Sequence, residues 1–248
     1  MKKFNYENKQ YLNKLDNLNI SYYSKYIRFI KKYLPNKKST FLDVGCGNGT
    51  VLNILSKSNY KNIYGIDISK LFIKYARSKG IKKVYYYNGK IFPFKDNFFD
   101  LVGSFNVLEH TENPEKFLKD QVALLKKGGH IITSCPNFLS VLFFNPHRKL
   151  RGIANKISNF MAILKKLFIH NLKFRRMKPL VRDNFEYDDD AIVITNMLDL
   201  KRILKSYDCT IVYESGFINF DRIIYRVINK LPMIKYMLPS CFIVARKN

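Results

Sequence analysis

Residues 41–50, FLDVGCGNGT, are the stretch of sequence that decides the fold. An apolar run with one acid, Asp43, precedes three glycines at alternate positions, Gly45, Gly47 and Gly49. Apolar residues at helical spacing begin directly after them, so the stretch predicts a strand, a tight turn and a helix. Because glycine has no Cβ, the turn can adopt positive φ and let a ligand approach the backbone. The first turn of the helix offers unpaired N–H groups to the same ligand.

The spacing of the glycines separates this turn from the dinucleotide-binding kind. That kind reads G-x-G-x-x-G, whereas here an acid and three glycines follow the pattern D-x-G-x-G-x-G. A second acid, Asp67, follows in the strand-like segment YGIDIS, residues 64–69. A carboxylate at the end of a second strand can accept hydrogen bonds from both hydroxyls of a ribose. The position of Asp67 therefore predicts a ligand that carries a ribose.

Two further segments follow in order, VYYYNGKIFPF at residues 84–94 and a longer one at 98–137. Together with the glycine turn and the Asp67 segment, these two segments resemble the class I S-adenosylmethionine-dependent methyltransferases. The cofactor of that family brings a zwitterionic amino acid to the glycine turn. Counting back from Pro93 places Asn88 where the family usually has an Asp that receives the adenine amino group, and an Asn carbonyl can accept that hydrogen bond. The resemblance implies an S-adenosylmethionine site formed by Asp43, Gly45, Cys46, Gly47, Asn48, Gly49, Asp67, Ile68, Asn88, Gly89, Phe105 and Asn106.

Strand and helix patterns alternate over residues 40–134, with a helix end predicted at Gly128-Gly129, and alternation predicts a parallel sheet covered by helices. The fold class expected is α/β: a Rossmann-like, seven-stranded, mostly parallel sheet with helices on both faces and a basic helical insertion after the fifth strand. Residues 1–38 read as an N-terminal helical segment. Residues 39–248 read as the methyltransferase domain, with a lid at about 138–190.

Charge is distributed unevenly along this strongly basic chain. Its 248 residues carry 44 Lys and Arg against 19 Asp and Glu, a net charge of +25, and residues 138–182 contain no acid. The basic segment lacks an RNA-binding signature, so nucleic acid is not favoured as a partner. Four scattered cysteines without a C-x-x-C pair indicate neither a zinc site nor a disulfide framework, and no metal is expected. No signal-peptide core or 18-residue apolar run occurs, so we expect a cytoplasmic protein.

Two stretches, 157–168 and 220–231, place apolar residues at helical spacing with Lys or Arg among them. A basic helix with an apolar stripe can lie in a membrane interface, at the inner face of the cell membrane. The alternative is that both stripes pack on the core or on a dimer partner. For the first reading, the basic residues expected at an anionic membrane surface are Lys165, Lys166, Arg175 and Arg176.

The segment NVLEH, residues 106–110, follows the fourth strand, where open α/β sheets form their reactive crevice. His110 is the candidate base, since an imidazole titrates near neutrality, and Glu109 could orient it or help to bind a metal. The alternative is that this pair caps the next helix or shapes the pocket. His147 or Arg148 could meet an acceptor phosphate, while His130 is expected to be structural and His170 carries little signal. The triplet at 188–190 is predicted to cap and orient the returning chain, with binding of the acceptor as the alternative.

The resemblance is closest to the branch that methylates small molecules, quinones and intermediates of bacterial polysaccharides. We therefore expect O-methylation of a glycan or lipid-linked acceptor. The alternatives are a diffusible metabolite or quinone precursor as the acceptor, or a non-catalytic cofactor-binding or RNA-binding protein. The sequence does not identify the oligomeric state.

Overall fold

The computed structural model describes residues 6–141, 153–169, 172–180, 188–216, 227–229, 231 and 233–248. The chain divides into two compact units. The first comprises Met1–Phe105, Asp120–Ile132 and Lys247, and the second comprises Asn106–Lys119, Thr133–Arg246 and Asn248. The candidate site residues are therefore described in two groups, one in each unit.

Seven strands form one sheet in the order β3-β2-β1-β4-β5-β9-β8. The pairs β1 with β2, β1 with β4, and β2 with β3 are all parallel. The predicted α/β class with a seven-stranded, mostly parallel sheet is confirmed. The strands are β1 Phe41–Val44, β2 Ile63–Asp67, β3 Val84–Tyr86, β4 Phe99–Phe105, β5 Leu125–Pro136, β8 Cys209–Ser215 and β9 Ser240–Lys247, with β6 Arg175–Arg176 and β7 Val193–Ile194 as a separate antiparallel pair.

The helices alternate with these strands in the first part of the chain. They are α1 Lys9–Asp16, α2 Ile20–Tyr33, α3 Thr50–Lys57, α4 Lys70–Ser78, α5 Pro114–Leu124, α6 Ile153–Phe168 and α7 Met197–Ser206, with short 3-10 turns at Leu108–His110 and Ile234–Met237. The predicted N-terminal helical segment is two helices, because Asn8 and Asn19 each cap a helix start with their side-chain oxygens. Among the described residues, no helix combines the length and apolar character needed to cross a membrane.

The central strand β1 explains why this sheet forms. Its apolar residues Phe41, Leu42 and Val44 are completely buried, as expected for a parallel strand covered on both faces. The strand has β2 on one side and β4 on the other, so the order of strands reverses direction at β1. In open α/β sheets this switch point is where ligands bind, at the carboxyl ends of the strands. The glycine turn begins there, directly after Val44.

One predicted boundary is wrong. The sequence predicts a helix end at Gly128-Gly129, but α5 ends at Leu124 and both glycines lie within β5. Gly128 has a φ of 77°, and a Cβ on Gly129 would lie 2.9 Å from the carbonyl oxygen of Lys126. The glycines are therefore needed for a bend and a close backbone approach inside the strand, a use that sequence alone does not separate from a helix cap.

Candidate functional site

The glycine turn adopts the backbone conformation that its sequence predicts. Gly45, Gly47 and Gly49 have φ values of 75°, 52° and 75°. The N–H groups of Gly45 and Cys46 both donate to the carbonyl oxygen of Ile66, at 2.8 and 3.0 Å, and this fixes the turn against β2. At these φ values a residue with a Cβ is strained, so the open backbone of the turn depends on the glycines.

Two buried carboxyl groups lie under the turn. Asp67, at the end of β2, accepts hydrogen bonds from the N–H of Gly47 and of Ser69, both at 2.9 Å. Burial raises the pKa of Asp67 to about 6, although these N–H groups oppose the shift. Burial, reinforced by the charge of Asp67, raises the pKa of Asp43 to about 8. Within the described part of the chain, neither carboxyl group has a cationic partner.

This pair fits one end of S-adenosylmethionine. A buried carboxyl group that lacks a cation is stabilised in its ionised form by a positive ligand, and the amino acid end of the cofactor carries an ammonium group. Asp67 retains acceptor capacity beyond its two backbone hydrogen bonds, because an ionised carboxylate offers about four lone-pair positions. The ribose role of Asp67 therefore stays compatible with its contacts, and it stays a prediction.

Asn48 and Cys46 have mainly structural contacts in this turn. The Oδ1 of Asn48 accepts from the N–H and the hydroxyl of Thr50, and its amide donates to Asp16 at 3.2 Å. Asp16 also pairs with Lys79, and these contacts attach α1 to the turn and to α4. Cys46 is buried, and burial raises the pKa of its thiol well above the ordinary value, so this thiol is not a nucleophile.

Three residues predicted for the cofactor site, Ile68, Asn88 and Gly89, lie next to one another. A Cβ on Gly89, whose φ is 76°, would lie 3.7 Å from Cγ2 of Ile68, and the Ile68 side chain is partly exposed. An exposed apolar side chain beside bare backbone suits the face of a purine. The Oδ1 of Asn88 already accepts from the N–H of Lys90 at 3.0 Å and of Ile91 at 3.2 Å. A hydrogen bond from the adenine amino group would share that oxygen, so we expect this contact to be weak.

Sequence reasoning missed a cation near the end of β4. The ring of Phe105 packs on that of Tyr26, with centroids 4.3 Å apart. The Nζ of Lys25 lies 4.5 Å from the ring centroid of Tyr22 and 5.0 Å from that of Tyr26. Burial lowers the pKa of Lys25 to about 8, and no carboxylate is paired with it among the described residues. The sequence shows only a lysine among the apolar residues of α2. From sequence alone, a half-buried lysine at such a position cannot be told from a solvent-exposed one.

The second unit holds a cluster of acids around His110. The 3-10 turn Leu108–His110 follows Asn106, whose φ is 56° and whose N–H donates to the carbonyl oxygen of Ser134 at 2.7 Å. Oδ2 of Asp190 lies 3.2 Å from Nδ1 of His110, and Oε1 of Glu109 lies 3.7 Å from Nε2. The carbonyl oxygen of Glu109 accepts from the N–H of Ile192, which joins the two segments.

Asp188 completes this cluster. Glu109, His110 and Asp188 each offer one ligand atom, and these atoms all lie within 4.8 Å of one another. Both carboxylate oxygens of Glu109 are buried without a hydrogen-bond partner in the described structure, and burial raises the pKa of this group well above its ordinary value. The sequence predicted capping and orientation for the triplet at 188–190, with acceptor binding as the alternative, and gave no sign that it approaches His110.

Two of the four basic residues expected at a membrane surface have other partners. Lys166 forms an ion pair with the buried Asp199 at 2.5 Å, and Arg176 donates to the carbonyl oxygens of Thr111 and Glu112. The charge of Lys166 is therefore paired with an acid, whereas Arg176 keeps its charge on an exposed side chain, and the membrane contact expected of these residues stays a prediction. Lys165 and Arg175 are exposed. His130 packs on the ring of Tyr33 at 4.9 Å, while His147, Arg148, His170 and most of 220–231 lie outside the described residues.

Helix α6 has an inverted distribution of polar and apolar residues. Asn155, Asn159 and Ile163, spaced by four, are buried, and the amide of Asn159 donates to the carbonyl oxygen of Ser140 at 2.7 Å. Ile153 is 75% exposed, and Ile157 and Met161 are each 57% exposed. The predicted stripe is therefore divided, since Leu167 packs against the core cluster of the second unit while other members face outward.

Comparisons with known proteins agree with the fold and the turn. Residues 42–133 match the methyltransferase domain family. The chain is 33% identical over 160 residues to an uncharacterised protein of Methanocaldococcus jannaschii, covering 61% of this chain and 73% of the relative. It is 28% identical over 116 residues to the ubiquinone biosynthesis O-methyltransferase of Coxiella burnetii, covering 45% of this chain and 49% of that protein.

Solved structures show the same arrangement over nearly the whole chain. An S-adenosylmethionine-dependent methyltransferase from Mesorhizobium loti has a TM-score of 0.59 at 15% identity, with 89% of this chain and 96% of that chain covered. A methyltransferase dependent on the same cofactor, from Aquifex aeolicus, has a TM-score of 0.55 at 16% identity, with 97% and 99% covered. These solved structures share the fold, and the match of residues 42–133 to the methyltransferase domain family, together with the D-x-G-x-G-x-G turn after β1 and the acid at the end of β2, places the chain in the class I S-adenosylmethionine-dependent methyltransferases.

Proposed function

We propose that this methyltransferase methylates a hydroxyl oxygen of a glycan or lipid-linked acceptor at the cytoplasmic face of a membrane. The observation that carries the choice of acceptor is the outward face of α6. Ile153, Ile157, Phe160 and Met161 share one side of the helix, since they are spaced by three, four and eight residues, and all four are exposed. Exposed apolar residues grouped on a basic helix are typical of helices that lie in a membrane interface.

Charge supports the same surface. Lys156 and Lys165 lie on α6 at positions that flank this apolar face, and both side chains are exposed. Their long apolar stems can follow the acyl chains while their charges stay at the headgroups. No acid occurs anywhere in residues 138–182, so nothing in that segment repels an anionic membrane.

The chemistry of the proposed reaction needs a base for a hydroxyl acceptor. Bound S-adenosylmethionine would supply a methyl group on a sulfonium, whose transfer to the acceptor oxygen would leave the neutral thioether and release the hydroxyl proton. Asp43 and Asp67 hold the ammonium and the ribose of the cofactor in this proposal. His110 takes up the hydroxyl proton, and Asp190, whose Oδ2 lies 3.2 Å from Nδ1, orients the imidazole.

A second candidate is a diffusible metabolite or quinone precursor. It is favoured by the similarity to the ubiquinone biosynthesis O-methyltransferases, which covers the cofactor-binding part of the chain. In that case, the apolar face of α6 would cover a soluble acceptor or pack on another chain. A non-catalytic scaffold is the third alternative, and measurable turnover would exclude it.

The acceptor is tested by incubating the protein with S-adenosylmethionine labelled on the methyl group and with separated membrane and soluble fractions of cells. We expect label in membrane-extractable lipid, and label confined to soluble metabolites would favour the second candidate. A His110→Ala variant should lose most turnover and keep its affinity for the cofactor. A variant that retained full turnover would remove His110 as the base.

The membrane contact has its own matched pair of variants. Ile157→Asp places a charge in the outward face of α6, whereas Ile20→Asp replaces an equally exposed isoleucine at the first position of α2, where an acid is favourable. We expect Ile157→Asp to reduce sedimentation with vesicles of anionic phospholipid at least threefold, and Ile20→Asp to leave it unchanged. Equal sedimentation of both variants and the wild type would refute the role of α6.

A further inference from the structure

The acids around His110 are unexpected in a chain of this charge. The sequence has 25 more basic than acidic residues, yet Glu109, Asp188 and Asp190 converge on one histidine. Asp188 and Asp190 reach it from a segment nearly 80 positions further along the chain. Carboxylates placed together repel one another, so a fold that gathers them needs a compensating positive charge.

Glu109 gives an independent reason to expect a ligand. Its side chain is 0% exposed, and neither carboxylate oxygen has a hydrogen-bond partner in the described structure. A buried carboxylate without a partner costs several kcal/mol, so such a group either stays protonated or binds a cation. The neighbouring imidazole and carboxylates are good metal ligands, and this favours the cation.

We propose that Glu109, His110 and Asp188 bind a divalent metal ion, with Asp190 holding the imidazole in position. The ligand atoms lie within 4.8 Å of one another, and those of Glu109 and His110 are 3.7 Å apart. Two ligand atoms bound at about 2.0–2.2 Å from one ion lie at most about 4.4 Å apart, so the pair from Glu109 and His110 already fits, and a separation near 4.8 Å would need only a small movement of a side chain. Oδ2 of Asp190, 3.2 Å from Nδ1, lies beside the other ring nitrogen, so Nε2 can face Glu109 and bind the ion.

The ligand set narrows the choice of metal. Two carboxylates suit Mg²⁺, Ca²⁺ and Mn²⁺, whereas an imidazole suits transition metals. Mn²⁺ accepts both oxygen and imidazole ligands, so it is the ion chosen to test the site. Water or an acceptor oxygen would complete the coordination.

A metal site goes beyond the proposed function, and it changes the role of His110 in the proposed methyl transfer. Once Nε2 of His110 binds the ion, that nitrogen no longer takes up a proton. An acceptor hydroxyl bound to the ion becomes more acidic and loses its proton more readily to water or a nearby carboxylate. The metal-loaded protein would therefore use the ion where the metal-free protein uses the imidazole.

The proposal is tested with Mn²⁺ alone on the full chain after removal of metals with a chelator. Electron paramagnetic resonance of free Mn²⁺ during titration should show one ion bound per chain. Glu109→Gln and Asp188→Asn should each weaken the affinity at least tenfold, because each removes a charged ligand at nearly constant size. Glu115→Gln is the control, since Glu115 belongs to the same unit but its Oε1 accepts from the N–H of Phe174 instead.

Circular dichroism and the unfolding temperature would show that each variant is folded. Absence of bound Mn²⁺ at millimolar concentration, or equal affinities for the wild type and both ligand variants, would overturn the proposal. The methyl-transfer proposal is measured separately, by the binding of S-adenosylmethionine and by incorporation of label. A protein that binds the cofactor and transfers methyl groups without binding Mn²⁺ would reject the metal site alone.

Discussion

Replacement of Asp43 by Asn should stabilise the ligand-free protein while weakening its affinity for S-adenosylmethionine. Burial raises the pKa of Asp43 from an ordinary value of 3.8 to about 8, so the native state keeps a proton that the unfolded chain releases. A group that binds its proton more tightly in the native state contributes stability at low pH and loses that contribution as the pH rises. The free energy of unfolding should therefore fall between pH 4 and pH 8.

The magnitude follows from the two pKa values. Each pH unit in this range costs about 1.4 kcal/mol per proton, so at pH 7 the penalty carried by Asp43 is up to about 4 kcal/mol. Asn still buries a polar group but never ionises, so Asp43→Asn removes only the ionisation cost. We expect a stabilisation of about 2–4 kcal/mol at pH 7 that shrinks toward zero near pH 4.

The assay is urea unfolding of the wild type and Asp43→Asn at several values between about pH 4.5 and 8, without cofactor. Asp100→Asn is the control with the opposite sign. Burial raises the pKa of Asp100, but Lys126 and Thr40 outweigh burial and hold the pKa below its ordinary value. That carboxylate contributes stability above its unfolded pKa and loses it in acid, so Asp100→Asn should destabilise at pH 7.

Binding of the cofactor gives the second measurement on the same variant. A charge-assisted contact with the ammonium group contributes about 1.5–3 kcal/mol, so the affinity for S-adenosylmethionine should fall about tenfold to a hundredfold. The wild type should also release a proton as Asp43 ionises on binding at pH 7, and calorimetry in buffers of different ionisation enthalpy would detect it. A pH-independent difference in stability, or unchanged affinity, would refute the reasoning.

Two further predictions concern the first unit. Gly49→Ala should destabilise by about 2–5 kcal/mol, from left-handed backbone strain and overpacking, because its Cβ would lie 2.5 Å from Cδ1 of Ile81. Gly80→Ala, with a similar φ of 84° and nothing within 4 Å, should cost about 1–2 kcal/mol in the same urea titration, and equal losses would contradict the packing argument. Lys25→Met should weaken the affinity for S-adenosylmethionine about tenfold, because it removes a half-buried cation that could pair with the cofactor carboxylate. Urea unfolding would show that the variant is folded. Unchanged affinity would show that Lys25 does not contact the cofactor.

The first unit was predictable because its signals are local. The turn between Asp43 and Gly49 sets its own geometry through residues a few positions apart, and glycines at positive φ leave a readable pattern. The position of Asp67 at the end of β2 could be predicted because only one helix and one strand separate it from the glycine turn. The same local reasoning failed at Gly128-Gly129, where a pair of glycines serves a strand instead of a helix end.

The candidate site in the second unit depends on a contact that no local pattern encodes. His110 and Glu109 were recognised from their place after the fourth strand, but Asp188 and Asp190 were assigned to capping. Their approach to His110 depends on the path of the chain between β5 and β7, and a run of three aspartates gives no sign of its destination. Lys166 shows the same limit, since its partner Asp199 is 33 positions away in the sequence.

Both groups of candidate site residues contain buried acids. In a protein with 44 basic and 19 acidic residues, acids left on the surface would find cations at almost any position. Asp43, Asp67 and Glu109 are instead buried where the described residues offer them no cation, and burial raises the pKa of each. Each such group costs stability in the ligand-free protein, and that cost falls when a positive ligand binds. An ammonium group beside Asp43 and a metal ion at Glu109 would therefore stabilise the fold as well as serve the reaction, and either ligand alone should raise the unfolding temperature.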